Sequence, residues 1–390
     1  MDPIVIVGAG PVGLSLALGL LRRGEEVVVV DQRPGIPQDP RATTVQPPVL
    51  EAYESWGVLP MLLERGRVVT HLQYWDWTTR QCLADLDFDA LEGDTSCPFR
   101  VHLDQAGICE VLLEAIEAAA PGTVRWGQKA TGLDVHDDHV QLVTTTRNGH
   151  VGVHRGRWIC GADGGKSWVR QHLDIPWEGP SHQESFLTAQ LDPGAFHALA
   201  ERAGGPLAGV SYLFLKDDWA MIMELPHIVR VLFHVGGEAS EELDRKATKA
   251  RAWALLGADE HHLKSTGQYN VRLRLASQFV RGRGVLLGDA AHAGYPVGGT
   301  AMNAGILDAV ALVEALANDD VDAVEAYGQT RRLWNRRHLL GETARELNAM
   351  EAHWPWTRLY RNRTLGKLDD APAARLAHLL QLSLMADRIG

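Results

Sequence analysis

The chain has few cysteines, no unbroken apolar run long enough to cross a membrane, and no excess of basic charge. Its four cysteines among 390 residues, Cys82, Cys97, Cys109 and Cys160, form no C-x-x-C pair. That spacing excludes the common zinc motifs and leaves no disulfide framework, so no metal is expected and the cytoplasm is the expected compartment. The net charge is −11, which argues against nucleic acid or an anionic membrane surface as partner. A small molecule is the expected partner, bound by a monomer or a homodimer. The first apolar stretch, "IVIVGAGPVGLSLALGLL" at residues 4–21, is broken by Gly8, Gly10, Pro11 and Gly13. A spanning helix needs about 20 predominantly apolar residues. The stretch also lacks the basic flank and cleavage site of a secretory signal. Phenylalanine and tyrosine number only seven each, against twelve tryptophans. Several of these stand in "YWDWTT" and "HWPWTRLY", where amphipathic rings suit a cavity lining or an interface. No internal repeat or low-complexity linker is visible.

What the opening stretch does contain is a nucleotide-binding pattern. Ile4–Val7 is a short β-branched run suited to a buried parallel strand, and Gly8-Ala9-Gly10-Pro11-Val12-Gly13 follows at once. In this G-x-G-x-x-G pattern the first glycine permits a tight turn. The second lets the backbone approach a pyrophosphate, and the third lets the helix from about Leu14 to Arg23 pack on the strand. The amides at the start of that helix face the phosphates. Gly24 then stops the helix, and a second apolar run ends in Asp31, where a carboxylate can accept hydrogen bonds from ribose hydroxyls; Gln32 and Arg33 follow it. The pattern specifies an adenine dinucleotide and does not by itself separate NAD(P) from FAD.

Three later segments separate them. "WICGADGGKSWVRQHL" carries a short strand ending at Asp163-Gly164, and "HLDQAGICEVLLEAI" reads as a helix opened by Gln105. "VRGRGVLLGDAAHAGYPVGGTAMNAGILDAVALVEAL" gives a strand at Val285–Leu287, a glycine-rich loop after Gly288-Asp289, and a helix with apolar residues at Ile306, Val310, Val313 and Leu316. Taken in order, G-A-G-P-V-G, "DPRAT" with Arg41, Gln105, D-G-x-x-S-x-V-R at 163–170 and G-D-A-A-H-x-x-x-P at 288–296 resemble the single-component FAD-dependent aromatic hydroxylases related to para-hydroxybenzoate hydroxylase. The resemblance covers about residues 1–335.

That resemblance implies FAD as cofactor and NADPH or NADH as reductant. The implied reaction uses O₂ to hydroxylate an aromatic or polycyclic small molecule through a C4a-hydroperoxyflavin. It also assigns residues. Gly8, Gly10, Pro11, Val12 and Gly13 form the pyrophosphate turn, and Asp31, with Gln32 and Arg33, holds the adenosine end. Arg41 and Gln105 reach the flavin side and the ribityl chain, and Asp289 binds ribityl hydroxyls. Asp163 lies near both nucleotides and, with Pro296 as a wall beside C4a, is the candidate for a direct part in catalysis. Gly298, Gly299, Ala301, Met302 and Asn303 pass beneath the isoalloxazine ring, and the helix following Asn303 offers amides and a positive dipole end to the N1/C2 edge. His292 is read as ordering its loop rather than as a base. Ala301 stands where the family usually has a glycine, and an alanine there takes a positive φ less cheaply.

The expected fold is α/β (α+β): a Rossmann-like FAD-binding domain with an inserted antiparallel-sheet substrate domain and C-terminal helices. The FAD-binding part spans 1–72, 98–178 and 279–335, the sheet domain 73–97 and 179–278, and the helical segment 336–390. Strand-like alternation in "VSYLFL" and "VRVLFHV" makes Tyr74, Trp75, Trp77, Tyr212, Trp219 and His234 the substrate-pocket candidates, although alternate residues of a strand face opposite ways. The basic tail is read as a solvated helix face. Competing readings are a flavin-dependent halogenase, which usually shows a W-x-W-x-I-P motif absent here, a flavin-dependent reductase, and a non-catalytic flavin-binding subunit.

Overall fold

The computed structural model describes residues 1–37, 42–179, 183–216, 218–234, 241–256, 262–294, 297–317, 319–350, 355–385 and 387. Ile4–Val7 and Val27–Asp31 pair in parallel at the centre of a six-stranded sheet. Trp158–Gly161 and Gly284–Leu286 extend it in parallel on one side and Val124–Trp126 on the other, with Val280–Arg281 an antiparallel edge. The central strands are buried throughout: helices cover one face, and on the other Val5, Val7, Val30 and Ile159 pack against Ala130, Val140 and Leu142 of the antiparallel strands Gln128–Val135 and Val140–Thr146. On one face lie the helices Pro11–Arg22, Gln105–Ala119 and Thr300–Leu316, whose Leu14, Leu18, Ile108, Leu112, Ile306 and Leu312 share a core with Ile4, Ile6 and Val29.

A seven-stranded sheet lies beside this unit. Its spatial order is Leu263–Arg272, Gln183–Leu191, Val229–His234, Trp219–Glu224, Val210–Phe214, His71–Asp76 and Gln81–Asp87. Every neighbouring pair is antiparallel except Val210–Phe214 with His71–Asp76, which run parallel because the long excursion between them brings the chain back in the same direction. The register lines residues into rows. Tyr74, Tyr212, Met221, Leu232, Thr188 and Gly267 stand side by side across six strands, and Leu72, Val210, Met223, Arg230, Gln190 and Ser265 form the row beside them.

The two faces of this sheet pack against different partners. One face buries Tyr74, Tyr212, Phe214, Trp219 and Met221 against Leu347, Met350, Leu379, Leu382 and Met385 of the C-terminal helices Thr343–Met350 and Pro372–Leu382 and the turn after them. The other buries Leu213, Ala220, Ile222 and Phe233 against Leu199 and Ala252 of the helices Gly194–Ala203 and Glu241–Leu256. The C-terminal segment is therefore a cover over the first face as well as a solvated surface.

Candidate active site

The opening turn is closed by two glycines and left open by the third. Gly8 has φ +110, and a Cβ there would lie 2.4 Å from the Ala162 carbonyl oxygen; a Cβ on Gly13 would lie 1.9 Å from the Gly8 oxygen. A Cβ on Gly10 would meet nothing within 4 Å. Only the middle glycine faces space, as a turn that admits a phosphate requires. The helix Pro11–Arg22 starts directly after it with no side-chain cap, so its first amides are available to a ligand.

Asp31 braces this turn from the end of the second strand. Its Oδ2 accepts from the Ala9 amide at 2.8 Å, and its Oδ1 accepts from the Arg33 amide at 2.8 Å and from Arg33 Nε at 2.9 Å. Burial opposes the carboxylate charge, but the Arg33 guanidinium and the two amides outweigh it and hold the pKa below the ordinary value. Asp163, on the neighbouring strand end, accepts at Oδ2 from the Trp168 and Val169 amides at 2.7 and 3.1 Å. Its Oδ1 is buried with no donor among the described residues, and burial pushes its pKa up.

These groups share one cavity of about 810 Å³. Gly8, Gly10, Pro11, Val12, Asp31, Gln32 and Arg33 line it, as do Gln105, Asp163, Asp289, Gly299, Ala301 and Met302. Gly13 packs behind the turn. Arg41 and Pro296 lie outside the described residues. The sheet face contributes Thr188, Gln190, Met221, Met223, Arg230 and Leu232 to the same cavity. A nucleotide-binding turn and a methionine-rich sheet face therefore open on one space.

Between them runs the loop at 297–299. Gly298 and Gly299 have φ +73 and +66, the left-handed region that glycine enters without strain. The helix begins at Thr300, so Asn303 lies within it instead of preceding it, and Ala301 has no positive φ. The expectation of strain at Ala301 is thus corrected: the two residues that need glycine are glycines. Side chains hold the loop on all sides. Gln46 Nε2 donates to the Gly298 carbonyl at 2.6 Å, and the Gly298 amide donates to the Tyr212 hydroxyl at 3.0 Å. Asn303 Nδ2 donates to the Gly299 and Thr44 carbonyls at 2.7 and 2.8 Å, while its Oδ1 accepts from the Gln46 amide at 2.8 Å.

Sequence reasoning missed the group that anchors this region from behind. Asp308, fully buried on the helix Thr300–Leu316, accepts at Oδ2 from the Gly288 amide at 3.2 Å and lies 2.6 Å from His292 Nε2. Its Oδ1 accepts from Arg331 Nε at 2.8 Å and Asn335 Nδ2 at 3.0 Å. Burial raises its pKa, but the charges of His292 and Arg331 dominate and bring it down to about 2. His292 is thereby tied to a carboxylate inside the fold, and Arg331, part of the basic tail, is a structural counter-ion. The available signal was an aspartate in line with Ala304 and Leu312 on the apolar stripe of that helix.

The six pocket candidates divide by strand parity. Tyr74, Tyr212, Trp219 and His234 lie on the face shared with the cavity, where Tyr74 and Tyr212 stack at 5.3 Å and Trp219 and His234 at 5.8 Å. The cavity is lined by Met221 and Leu232, on the same face and in the row of Tyr74 and Tyr212, rather than by these four side chains. Trp75 and Trp77 do not line this cavity. They point to the opposite face and pack with Leu199 and Leu213, where Trp75 Nε1 donates to Gln73 Oε1 at 2.9 Å and Arg80 covers the Trp77 ring.

Comparison with known proteins places this geometry. Residues 2–333 match the FAD binding domain family. Para-nitrophenol 4-monooxygenase of Pseudomonas sp. (strain WBC-3) is 31% identical over 325 residues, covering 81% of this chain and 78% of the relative. Pentachlorophenol 4-monooxygenase of Sphingobium chlorophenolicum is 28% identical over 311 residues, 78% of this chain but 56% of the relative. The crystal structure of p-nitrophenol 4-monooxygenase from Pseudomonas putida DLL-E4 superposes with a TM-score of 0.90 at 26% identity, covering 99% of this chain and 98% of that one. An FAD-type turn, a glycine loop under a methionine-rich sheet face and a match over most of the length lead to one conclusion: the chain belongs to the FAD-dependent aromatic hydroxylases.

Proposed function

We propose that this hydroxylase oxygenates a single-ring phenol with NADPH or NADH as reductant, in the cytoplasm. The observation that carries this reading is the shared cavity. The space at the nucleotide turn is continuous with one lined by Met221, Met223, Leu232 and Val271, a flexible apolar surface suited to an aromatic ring. The para-nitrophenol and pentachlorophenol relatives act on single rings, which supports that size of substrate. The four cysteines are free, in keeping with a reducing compartment. Among the described residues no helix is long and apolar enough to cross a membrane.

The residues present fit FAD. The open position at Gly10 and the amides at the start of Pro11–Arg22 would take the pyrophosphate. Asp31 would take the ribose hydroxyls, and Gln105 and Asp289 the ribityl chain. Bound FAD supplies electron transfer from the nicotinamide nucleotide and activation of O₂. The protein's part is positional. Gln46, Asn303 and Tyr212 fix the 298–299 loop, and the helix Thr300–Leu316, whose Ala301 and Met302 line the cavity, would offer its first amides and positive end to negative charge on a flavin. The C-terminal helices lie over the sheet and exclude water from its buried aromatic face.

The test is anaerobic stopped-flow absorbance of the purified flavoprotein with NADPH or NADH, with and without phenols, followed by admission of oxygen. A phenol that accelerates flavin reduction and is recovered hydroxylated supports the reading. A protein whose flavin neither nucleotide reduces, with any phenol, is a flavin-binding subunit instead.

A further inference from the structure

Sulfur is concentrated in the cavity wall. Three of the chain's seven methionines, Met221, Met223 and Met302, line the cavity. Met221 and Met223 are alternate residues of the strand Trp219–Glu224 and so point the same way, while Met302 comes from the first turn of the helix Thr300–Leu316. All three are buried from the outer surface. The other four methionines lie elsewhere. Met1 is 98% exposed, and Met61 packs at the edge of the nucleotide half. Met350 and Met385 share a core with Met221 and Met223 but do not line the cavity.

A thioether is soft and polarizable, and an electrophilic oxygen converts it to the sulfoxide. An oxygen able to attack an electron-rich ring is of that class. Among the described residues no cysteine, histidine or tyrosine lines the cavity, so its most readily oxidised atoms are these sulfurs and the Trp168 indole, which sits on the nucleotide side next to Asp163. The three sulfurs are not equivalent. Thr43 Oγ1 donates to Met223 Sδ at 3.5 Å, and a lone pair engaged by a hydroxyl is less available for attack. Met221 and Met302 carry no such donor among the described residues.

We infer that Met221 and Met302 are sites at which the enzyme oxidises itself: when no ring occupies the cavity, their sulfur takes the oxygen atom that would have entered the ring. The inference rests on the hydroxylase reading, which supplies the oxidant. Two electrons from the nicotinamide nucleotide, passed through FAD, reduce O₂ to hydrogen peroxide within the cavity. A sulfur lone pair then attacks one peroxide oxygen; the S–O bond forms as the O–O bond breaks, and the other oxygen leaves as water. One thioether, one O₂, one reduced nucleotide and one proton give one sulfoxide, one oxidised nucleotide and one water. A ring in the cavity protects the wall, because it covers the sulfurs and consumes the oxygen. The sulfoxide places a polar group beside Leu232 and Val271, so the modified wall holds an aromatic ring less well.

The experiment uses the FAD-loaded protein. Its flavin is reduced anaerobically with dithionite, the excess is removed, and isotopically heavy dioxygen is admitted over several cycles without phenol. Peptide mass spectrometry reads the label at each methionine. One further arm contains catalase and another 4-nitrophenol; in a third the oxidised flavoprotein receives hydrogen peroxide from solution. Label at Met221 and Met302 is expected to exceed that at Met1, Met350 and Met385 by at least about tenfold, because an oxidant generated beside the sulfur acts at high effective concentration. Met223 should trail both, catalase should leave the cavity label unchanged, and peroxide from solution should oxidise Met1 first. The inference is overturned by Met1 labelled as fast as the cavity methionines, by a cavity label that catalase abolishes, by unlabelled cavity methionines after flavin reoxidation, or by a label undiminished while 4-nitrophenol is hydroxylated. If 4-nitrophenol gains heavy oxygen but Met221 and Met302 stay unlabelled in its absence, only this inference falls. If those methionines are labelled and no phenol ever is, oxygen transfer in the cavity stands and the phenol reading falls.

Discussion

Replacing Asp308 by asparagine tests the anchor behind the site. The substitution keeps the shape and removes the charge that receives Arg331, Asn335, His292 and the Gly288 amide, three of them at 2.6 to 3.0 Å. Asp308 is wholly buried and Arg331 largely so, so the variant leaves a cation inside the fold without its counter-ion. Breaking such a pair costs about 3–5 kcal/mol. The pH dependence gives a second handle. Because the folded pKa, about 2, lies below the ordinary 3.8, this carboxylate's stabilisation is complete above pH ~4 and disappears as pH falls through the folded value, a contribution of about 2 kcal/mol. Denaturant unfolding of both proteins from pH 7 downward is the assay. The wild type should lead Asp308→Asn by several kcal/mol at pH 7, and the lead should narrow on the acid side. A difference under about 1 kcal/mol at neutral pH, or a gap that does not narrow in acid, refutes the buried ion-pair reasoning.

The glycines of the opening turn should separate folding from binding. Gly10→Val adds a side chain into open cavity, so it should melt as the wild type does while FAD affinity, measured by flavin fluorescence, drops at least about tenfold. Gly13→Ala drives a Cβ into the Gly8 carbonyl and should cost about 3 kcal/mol of stability before any question of FAD arises. Trp75→Phe, on the face away from the cavity, should lower stability by about 1–3 kcal/mol through lost packing and the lost bond to Gln73, with KM for phenol and flavin reduction unchanged; a raised KM would put Trp75 back in the pocket.

The nucleotide half was legible because its signals are local. Four residues of β-branched strand, three glycines at fixed spacing and one terminal acid each have a backbone reason within about 30 residues of chain, and the structure brings them together as read. The glycine loop was less legible. Without knowing that the helix starts at Thr300, Ala301 looked like a position needing positive φ, whereas Gly298 and Gly299 carry that requirement. Trp75 and Trp77 fall away from the cavity through the parity that the sequence could state without assigning: Tyr74 and Trp75 are adjacent in a strand and face opposite ways. Asp308 was hidden for a different reason: it gains its meaning from His292 and Arg331, 16 and 23 residues away in the chain, and no local pattern announces a buried charge. The C-terminal helices likewise read as basic and solvated because their apolar residues find the sheet face only in three dimensions.

The central claim is that FAD, a phenol and oxygen react in the cavity shared by the Gly8–Gly13 turn and the Met221 sheet face. The most direct measurement is a turnover experiment with isotopically heavy dioxygen, NADPH or NADH, and a panel of single-ring phenols, read by mass spectrometry of the product. One heavy oxygen atom in the hydroxylated ring for each nicotinamide nucleotide oxidised is the predicted result. Flavin that is reduced and reoxidised with every phenol left unlabelled would contradict it.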